Sequence, residues 1–230
     1  MIKNVSAVIF AAGKGTRIGI LTKYIPKPLL PLGKITIIDY TIKKFIKEGF
    51  FNINVTIHYM KKKFINHFKY NDHVFLLKQN KNLGTAGALS LLQDTNKYVI
   101  AIFGDILTTT SFKKLLDYHI KNKNDITIAT KKEPINNDFG IIIKDSKNNI
   151  KSYKNKNEYF SFLDSGIYVF NKDILCMLEY NKYIDMPDLL KKCFLSKKKI
   201  KCFVIKNYWI DTGTMEKYTQ ARIDYKNRLV

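Results

Sequence analysis

The run Phe10-Ala11-Ala12-Gly13-Lys14-Gly15-Thr16-Arg17, followed by Pro26-Lys27-Pro28-Leu29-Leu30-Pro31-Leu32, sets the reading of this chain. A short hydrophobic segment, Val5 to Phe10, feeds a loop of small residues that ends in an arginine. Small residues let backbone N–H groups approach an anion closely, because no Cβ stands in the way. Arg17, and Lys27 held between two prolines, supply the fixed positive charge that a polyphosphate requires. The opening therefore reads as a strand leading into a triphosphate-binding loop.

Two familiar phosphate loops do not fit. A dinucleotide fingerprint spaces its glycines G-x-G-x-x-G and has an acidic residue ending the next strand. Here Gly13, Gly15 and Gly19 place the third glycine one residue late, and Asn52 to His58 ends without a carboxylate. The Gly-Lys-Ser/Thr of a Walker loop is absent as well. A plain glycine-rich turn after a strand is the bland alternative.

A chain of 230 residues holds one α/β domain or two small ones. Hydrophobic content of 46% and aromatic content of 13% argue for a folded globule over a disordered chain. No apolar run reaches membrane-spanning length, and Val5 to Ala12 is too short for a signal peptide. Cys176, Cys193 and Cys202 show no metal-site spacing and read as thiols of a reducing, cytoplasmic compartment. The net charge of +21 raises nucleic-acid binding, but the lysines are spread as pairs and triplets along the whole chain. We expect nonspecific affinity for anions, no dedicated nucleic-acid site and no membrane association. A homo-oligomer is compatible with the sequence.

Apolar periodicity alternates strand and helix. Val5–Phe10, Ile53–Ile57, Val74–Leu77 and Val99–Phe103 read as strands; Ile37 to Lys47, Phe64 to Phe68, Thr85 to Leu92 and Phe112 to Ile120 read as helices. Strands over Ile126–Thr130, Gly140–Ile143, Ile167–Phe170 and Lys201–Ile205 follow, with helices near Pro187 to Phe194 and from Thr214 to about Tyr225. This order predicts an α/β fold: a Rossmann-like, mixed but mostly parallel sheet with helices on both faces. Ligands of such sheets sit at the C-terminal strand ends, where the glycine loop and Phe103-Gly104-Asp105 both fall. No repeat or linker divides the chain, so residues 1–230 are expected to form a single domain.

Asp105 follows a strand lacking polar residues, where a carboxylate can coordinate Mg²⁺ together with phosphate oxygens. Asp211, in Tyr208-Trp209-Ile210-Asp211-Thr212-Gly213-Thr214, precedes the final helix. Each can equally be a turn or capping aspartate. Both converging on one Mg²⁺ beside Arg17 and Lys27 would make a phosphoryl-transfer site. Gln79 precedes Leu83-Gly84-Thr85-Ala86-Gly87-Ala88-Leu89; its amide can pair with a base edge, and Gly84 permits main-chain contact with a planar ring.

AAGKGTR, PKPLLPL, LGTAGAL, FGD, DSGIYVF and WIDTGT occur in that order across nearly the whole chain. The set closely resembles the sugar-1-phosphate nucleotidyltransferases, and LGTAGAL looks most like the guanylyltransferases acting on mannose-, heptose- or glucosamine-type 1-phosphates. Ile184-Asp185-Met186-Pro187-Asp188-Leu189 and the ending YWIDTGT resemble enzymes feeding bacterial surface-glycan pathways. The resemblance implies a GT-A-like nucleotidyltransferase fold. It implies that Ala12, Gly13, Gln79 and Gly84 hold the base, that Thr85 is a further nucleotide-binding residue, and that Gly15, Thr16, Arg17 and Lys27 grip the triphosphate. Asp105 and Asp211 would bind Mg²⁺; Phe139, Gly140, Ser165 and Gly166 would form the sugar pocket, and Lys156 would contact the sugar phosphate.

Three departures bear on the sugar. The chain has Asn155-Lys156 where the family often has Glu-Lys, and Asp138-Phe139-Gly140 where it often has Arg-Tyr-Gly. Asn82 replaces the usual proline before LGT. Lys151 and Lys154 are alternatives to Lys156 in that lysine-rich stretch. The expected reaction joins GTP to a sugar 1-phosphate and releases pyrophosphate. Alternatives are a dTTP- or UTP-using relative, a cytidylyltransferase acting on a phospho-alcohol, and a catalytically silent nucleotide-sugar sensor of the same fold. The four histidines have no catalytic context.

Overall fold

A computed structural model describes residues 2–92, 96–134, 140–155 and 160–230. The chain order is β1 (Val5–Phe10), α1 (Ile37–Lys47), β2 (Ile53–Ile57), α2 (Lys61–His67), β3 (Val74–Lys78), α3 (Gly84–Gly87), β4 (Tyr98–Phe103) and β5 (Ile106–Thr108). It continues with α4 (Phe112–Lys121), β6 (Ile126–Pro134), β7 (Ile141–Lys144), β8 (Ile150–Lys154), β9 (Phe160–Asn171) and α5 (Lys172–Leu175). Last come α6 (Met186–Leu195), β10 (Ile200–Ile205), β11 (Trp209–Asp211) and α7 (Met215–Lys226).

Seven strands form one sheet in the order β10-β6-β9-β4-β1-β2-β3. β1 runs parallel to both β2 and β4, β2 parallel to β3, and β10 parallel to β6, while β9 is antiparallel to β4 and β6. The expected mixed, mostly parallel sheet is therefore present. Its central strands are buried on both faces, which is why β1 and β4 read as continuous apolar runs. Ala7 and Ile9 face a core shared with Ile38, Ile42 and Phe45 of α1 and Phe112, Leu115 and Leu116 of α4. Val8, between them, faces the opposite core with Leu89, Met186, Leu189 and Cys193. A third cluster, Ile18, Leu30, Leu32, Ile37, Leu107, Tyr218 and Ala221, fixes α7 against the proline-rich loop.

Local chemistry explains the element ends. Thr36 and Asp39 form a capping box at α1, the Thr36 hydroxyl accepting from the Asp39 N–H at 3.3 Å and Asp39 accepting from the Thr36 N–H at 3.1 Å. Left-handed Gly49 follows the helix and allows the turn into β2. Two two-stranded sheets sit outside the main one: β7, expected as a strand, pairs antiparallel with β8, and β5 pairs antiparallel with β11.

Candidate active site

A cavity of about 400 Å³ opens at the C-terminal ends of β1 and β4. The two strand ends are tied where the Gly104 N–H donates to the Phe10 carbonyl at 2.9 Å. The glycine loop runs across this edge, and Ala12, Gly13, Gly15 and Arg17 all line the cavity. Thr16, in the turn between Gly15 and Arg17, does not reach its wall; its carbonyl accepts the Gly19 N–H at 3.0 Å.

Lys27 is buried and its ammonium is paired with Asp105, with Asp211 Oδ1 3.6 Å away. The two carboxylates come from segments 106 positions apart in the chain; the β5–β11 pairing joins them, Asp211 opposing Ile106. Thr212 locks the junction, donating both its N–H and its hydroxyl to the Asp105 carbonyl at 2.9 Å. Asp211 Oδ1 is buried and has no hydrogen-bond partner among the described residues. The Lys27 ammonium at 3.6 Å offsets the burial of this oxygen only in part, and such an oxygen beside a second carboxylate is suited to a cation. Arg17 closes this wall: a methyl on Gly213 would lie 3.4 Å from its Nη2. The result is a charged corner of two anions and two cations at one end of a partly apolar cavity.

At another wall are Asn82, Gly84 and Thr85. Gly84 has φ +73°, and a Cβ there would meet the Ile184 carbonyl oxygen at 2.5 Å, so glycine is required twice over. The loop is strapped to residues 184–186. The Ile184 carbonyl accepts the Ala86 and Gly87 N–H groups at 3.0 Å, and the Ile184 N–H donates to Leu83 at 3.0 Å. Asp185 accepts from the Thr85 N–H at 2.9 Å and from its hydroxyl at 3.1 Å. The Tyr183 hydroxyl on Asp185, together with these Thr85 donors, holds the carboxyl below the usual aspartate range. Asp185 gave a sequence signal, an acidic residue just before Met-Pro at a helix start.

Gln79 lies behind this wall and is not part of it. It is buried, its Oε1 accepts the Leu83 N–H at 3.3 Å, and its Nε2 has no partner among the described residues. It braces the loop from within.

Asp164, Ser165 and Gly166 form the third wall. β9 slips register against β6 here: Thr130 opposes Asp164 but Ile128 opposes Tyr168, so extra β9 residues bulge opposite Ala129. The Ser165 hydroxyl donates to the Ala129 carbonyl at 2.6 Å, and the Trp209 indole N–H donates to the Ser165 carbonyl at 2.9 Å. Gly166 has φ +73°, and a Cβ would lie 2.5 Å from the Phe103 ring. Asp164, not singled out in the sequence, accepts from the Gly166 N–H at 2.9 Å and the Tyr168 hydroxyl at 2.7 Å. Burial, then the Asp164 charge, pushes the Tyr168 phenol far above its usual range, so it stays a donor. Gly140 sits apart from the cavity, against Tyr153 in the β7–β8 hairpin. Phe139 and Lys156 lie outside the described residues.

The nucleotidyl transferase family model matches residues 6–228. A glucose-1-phosphate adenylyltransferase of Lachnospira eligens is 28% identical over 96% of this chain and 60% of its own length. The bifunctional protein GlmU of Methanococcus aeolicus is 34% identical over 90% of this chain and 51% of its own length. The chain thus spans about half to three fifths of these relatives. Among solved structures, HddC from Yersinia pseudotuberculosis complexed with GMP-PN superposes with a TM-score of 0.72 at 24% identity, covering 96% of this chain and 99% of that one. A putative glucose-1-phosphate thymidylyltransferase from Bacillus anthracis gives 0.75 at 19%, covering 95% and 94%. The chain belongs to the nucleotidyl transferase family, and within it groups with the sugar-1-phosphate nucleotidyltransferases.

Proposed function

We propose that residues 1–230 form one catalytic domain that transfers a nucleotidyl group from GTP to a sugar 1-phosphate. The sugar phosphate oxygen attacks the α-phosphorus in line; the bond from that phosphorus to the bridging oxygen breaks, and pyrophosphate leaves with its electron pair. No covalent enzyme intermediate is needed, because the nucleophile is already an anion. The observation that carries this reading is the Lys27 ammonium bridging Asp105 and Asp211 beside Arg17 in one cavity.

The chain's own residues position two mutually repelling anions and neutralise the charge between them. Lys27 and Arg17 face the triphosphate, and the backbone of Gly13 and Gly15 admits it without side-chain obstruction. Asn82, Gly84 and Thr85 form a flat wall for the base, with Gln79 setting its shape from behind. Ser165, Gly166 and Asp164 border the sugar side, and the family resemblance assigns Lys156, outside the described residues, to the sugar phosphate. The donor set suits Mg²⁺, which takes a few carboxylate oxygens and completes its shell with phosphate and water. Asp105 and Asp211 would hold it, and when bound it would offset charge on the phosphate oxygens.

Guanine is favoured by the LGTAGAL loop, a reading in keeping with the guanine nucleotide named in the HddC structure. The adenylyl and thymidylyl names of other relatives make ATP and dTTP the next candidates. We place the protein in the cytoplasm; all three cysteines are free thiols, and no helix of the described residues is long and apolar enough to cross a membrane. The test is pyrophosphate release with Mg²⁺ over GTP, ATP, UTP, dTTP and CTP against several sugar 1-phosphates. GTP turnover at least tenfold above the others is expected. Preference for another base overturns the guanylyl assignment, and silence across the matrix overturns the reaction.

A further inference from the structure

Along the segment that carries the base wall, every main-chain donor from residue 83 to 87 is already engaged. The Leu83 N–H donates to Gln79 Oε1 at 3.3 Å, the Thr85 N–H to Asp185 Oδ1 at 2.9 Å, and those of Ala86 and Gly87 to the Ile184 carbonyl at 3.0 Å. The Thr85 hydroxyl donates to Asp185 and accepts from the Met186 N–H. The fifth, the Gly84 N–H, donates to the Asn82 side chain at 3.0 Å. An N–H only donates, so the Asn82 atom that meets it is Oδ1. The other end of the amide is then Nδ2, with two N–H groups and no acceptor among the described residues.

Asn82 is exposed and lines the cavity beside Gly84 and Thr85. With the main-chain amides and the Thr85 hydroxyl engaged inside the protein, its NH₂ is the donor this wall has left for a ligand. Asn82 stands where the family usually has proline, whose ring could neither take the Gly84 N–H nor offer a donor. The one difference closes a main-chain donor and puts a side-chain donor in its place.

An asparagine with both ends free suits adenine, its oxygen accepting from the N6 amine while its nitrogen donates to N7. Here the oxygen is committed to Gly84, so an exocyclic amine brought to Asn82 meets only N–H groups. A ring carbonyl meets a donor. We propose that Asn82 selects the base by its exocyclic group, admitting the keto bases guanine, uracil and thymine and rejecting the amino bases adenine and cytosine. The proposal rests on the nucleotidyl-transfer reading and narrows it, placing ATP behind dTTP and UTP on the chemistry of the wall.

Calorimetric titration with Mg²⁺ and no sugar 1-phosphate measures nucleotide binding apart from turnover. Two probe pairs isolate the group in question. Inosine triphosphate and ATP differ at the purine 6-position and the adjoining N1; UTP and CTP differ at the pyrimidine 4-position and the adjoining N3. In each pair that binds, the keto member should bind at least tenfold more tightly. Asn82→Asp keeps an oxygen for the Gly84 N–H and turns an acceptor to the cavity in place of the donor. Its added charge acts on both members of a pair alike and drops out of their ratio. The keto-to-amino ratio should fall at least tenfold in this variant, whereas a residue that merely braced the loop would leave it at the wild-type value. An unchanged ratio, or equal affinity for both members in the wild type, overturns the role of Asn82 while nucleotide binding stands. Failure of all four nucleotides to bind overturns the nucleotide reading itself, and the role of Asn82 with it.

Discussion

Thr85 and Asp185 exchange helix caps across the cavity wall. Asp185 precedes α6 but makes no cap hydrogen bond within its own helix; its Oδ1 accepts the Thr85 N–H instead. The Thr85 hydroxyl returns the service, accepting the Met186 N–H at 2.7 Å. Each residue satisfies the other segment's orphan donor, so the base wall and α6 are one mechanical unit.

Asp185→Ala should therefore loosen the wall without touching the charged corner. We expect the nucleotide KM to rise at least tenfold with kcat within threefold, and stability to fall by about 1–3 kcal/mol for the unsatisfied Thr85 donor. Asp185→Asn keeps the accepting oxygen and should restore most of the KM. Equal losses in kcat and kcat/KM would place Asp185 in the chemistry.

Asp105→Asn should lose most turnover while the protein still folds, because the Asp105 backbone contacts to Thr212 remain. Circular dichroism and turnover at saturating Mg²⁺ are the checks. Arg17→Ala should cost about 3–4 kcal/mol of transition-state stabilisation, or several hundredfold in rate. A loss under threefold would remove Arg17 from the site.

Chelation should silence the enzyme reversibly, and added Mg²⁺ should restore it. Asp211→Asn should raise the Mg²⁺ concentration needed for half-maximal rate, since one of two carboxylates is lost. Full activity in excess chelator would refute the metal role of the pair.

His119 sets an acid limit on stability. Its folded-state pKa is lowered by burial, against the opposing pull of Asn171 and Asp125. The unfolded chain takes up a proton near pH 6.5, before the folded chain does. The contribution is therefore fully present above that value and is lost as pH falls below it, toward the folded pKa. Denaturant unfolding from pH 7.5 to 5 should show this decline, flattened in His119→Gln; an identical slope in the variant would exclude His119 as the source.

Gly166→Ala should be among the most damaging single-methyl changes, because φ +73° and the Phe103 ring both oppose it. Thermal unfolding should report a clear drop, with the sugar 1-phosphate KM raised. A stable variant with unchanged KM would show that the bulge adapts.

Elements with strong periodicity were legible residue by residue. Val5–Phe10, Ile37–Lys47 and Ile53–Ile57 have the same limits in sequence and structure, since burial on both faces, a capping box and a left-handed glycine are local facts. The strands β5, β8 and β11 were not legible. Three to five residues long, they owe their form to pairing partners distant in the chain or, for β8, across a hairpin. The first half of β9 escaped notice because Phe160, Phe162 and Leu163 are exposed, which masks the alternation a half-buried strand would show. Gln79, expected to pair with a base edge, is buried with its Oε1 on the Leu83 N–H and its Nε2 without a partner among the described residues, an arrangement set by the neighbours it packs against.

The chain by itself determined the alternating architecture, the small-residue loop and the charged residue types, all written in contiguous patterns of period and spacing. Only the tertiary structure decided which of them meet. Asp105 joins Asp211 through a short antiparallel pairing, Thr85 trades caps with Asp185, and Asp164 turns into the cavity on a bulge. Each is a contact over 20 or more positions of sequence, set by register and burial across the sheet and not by any local preference.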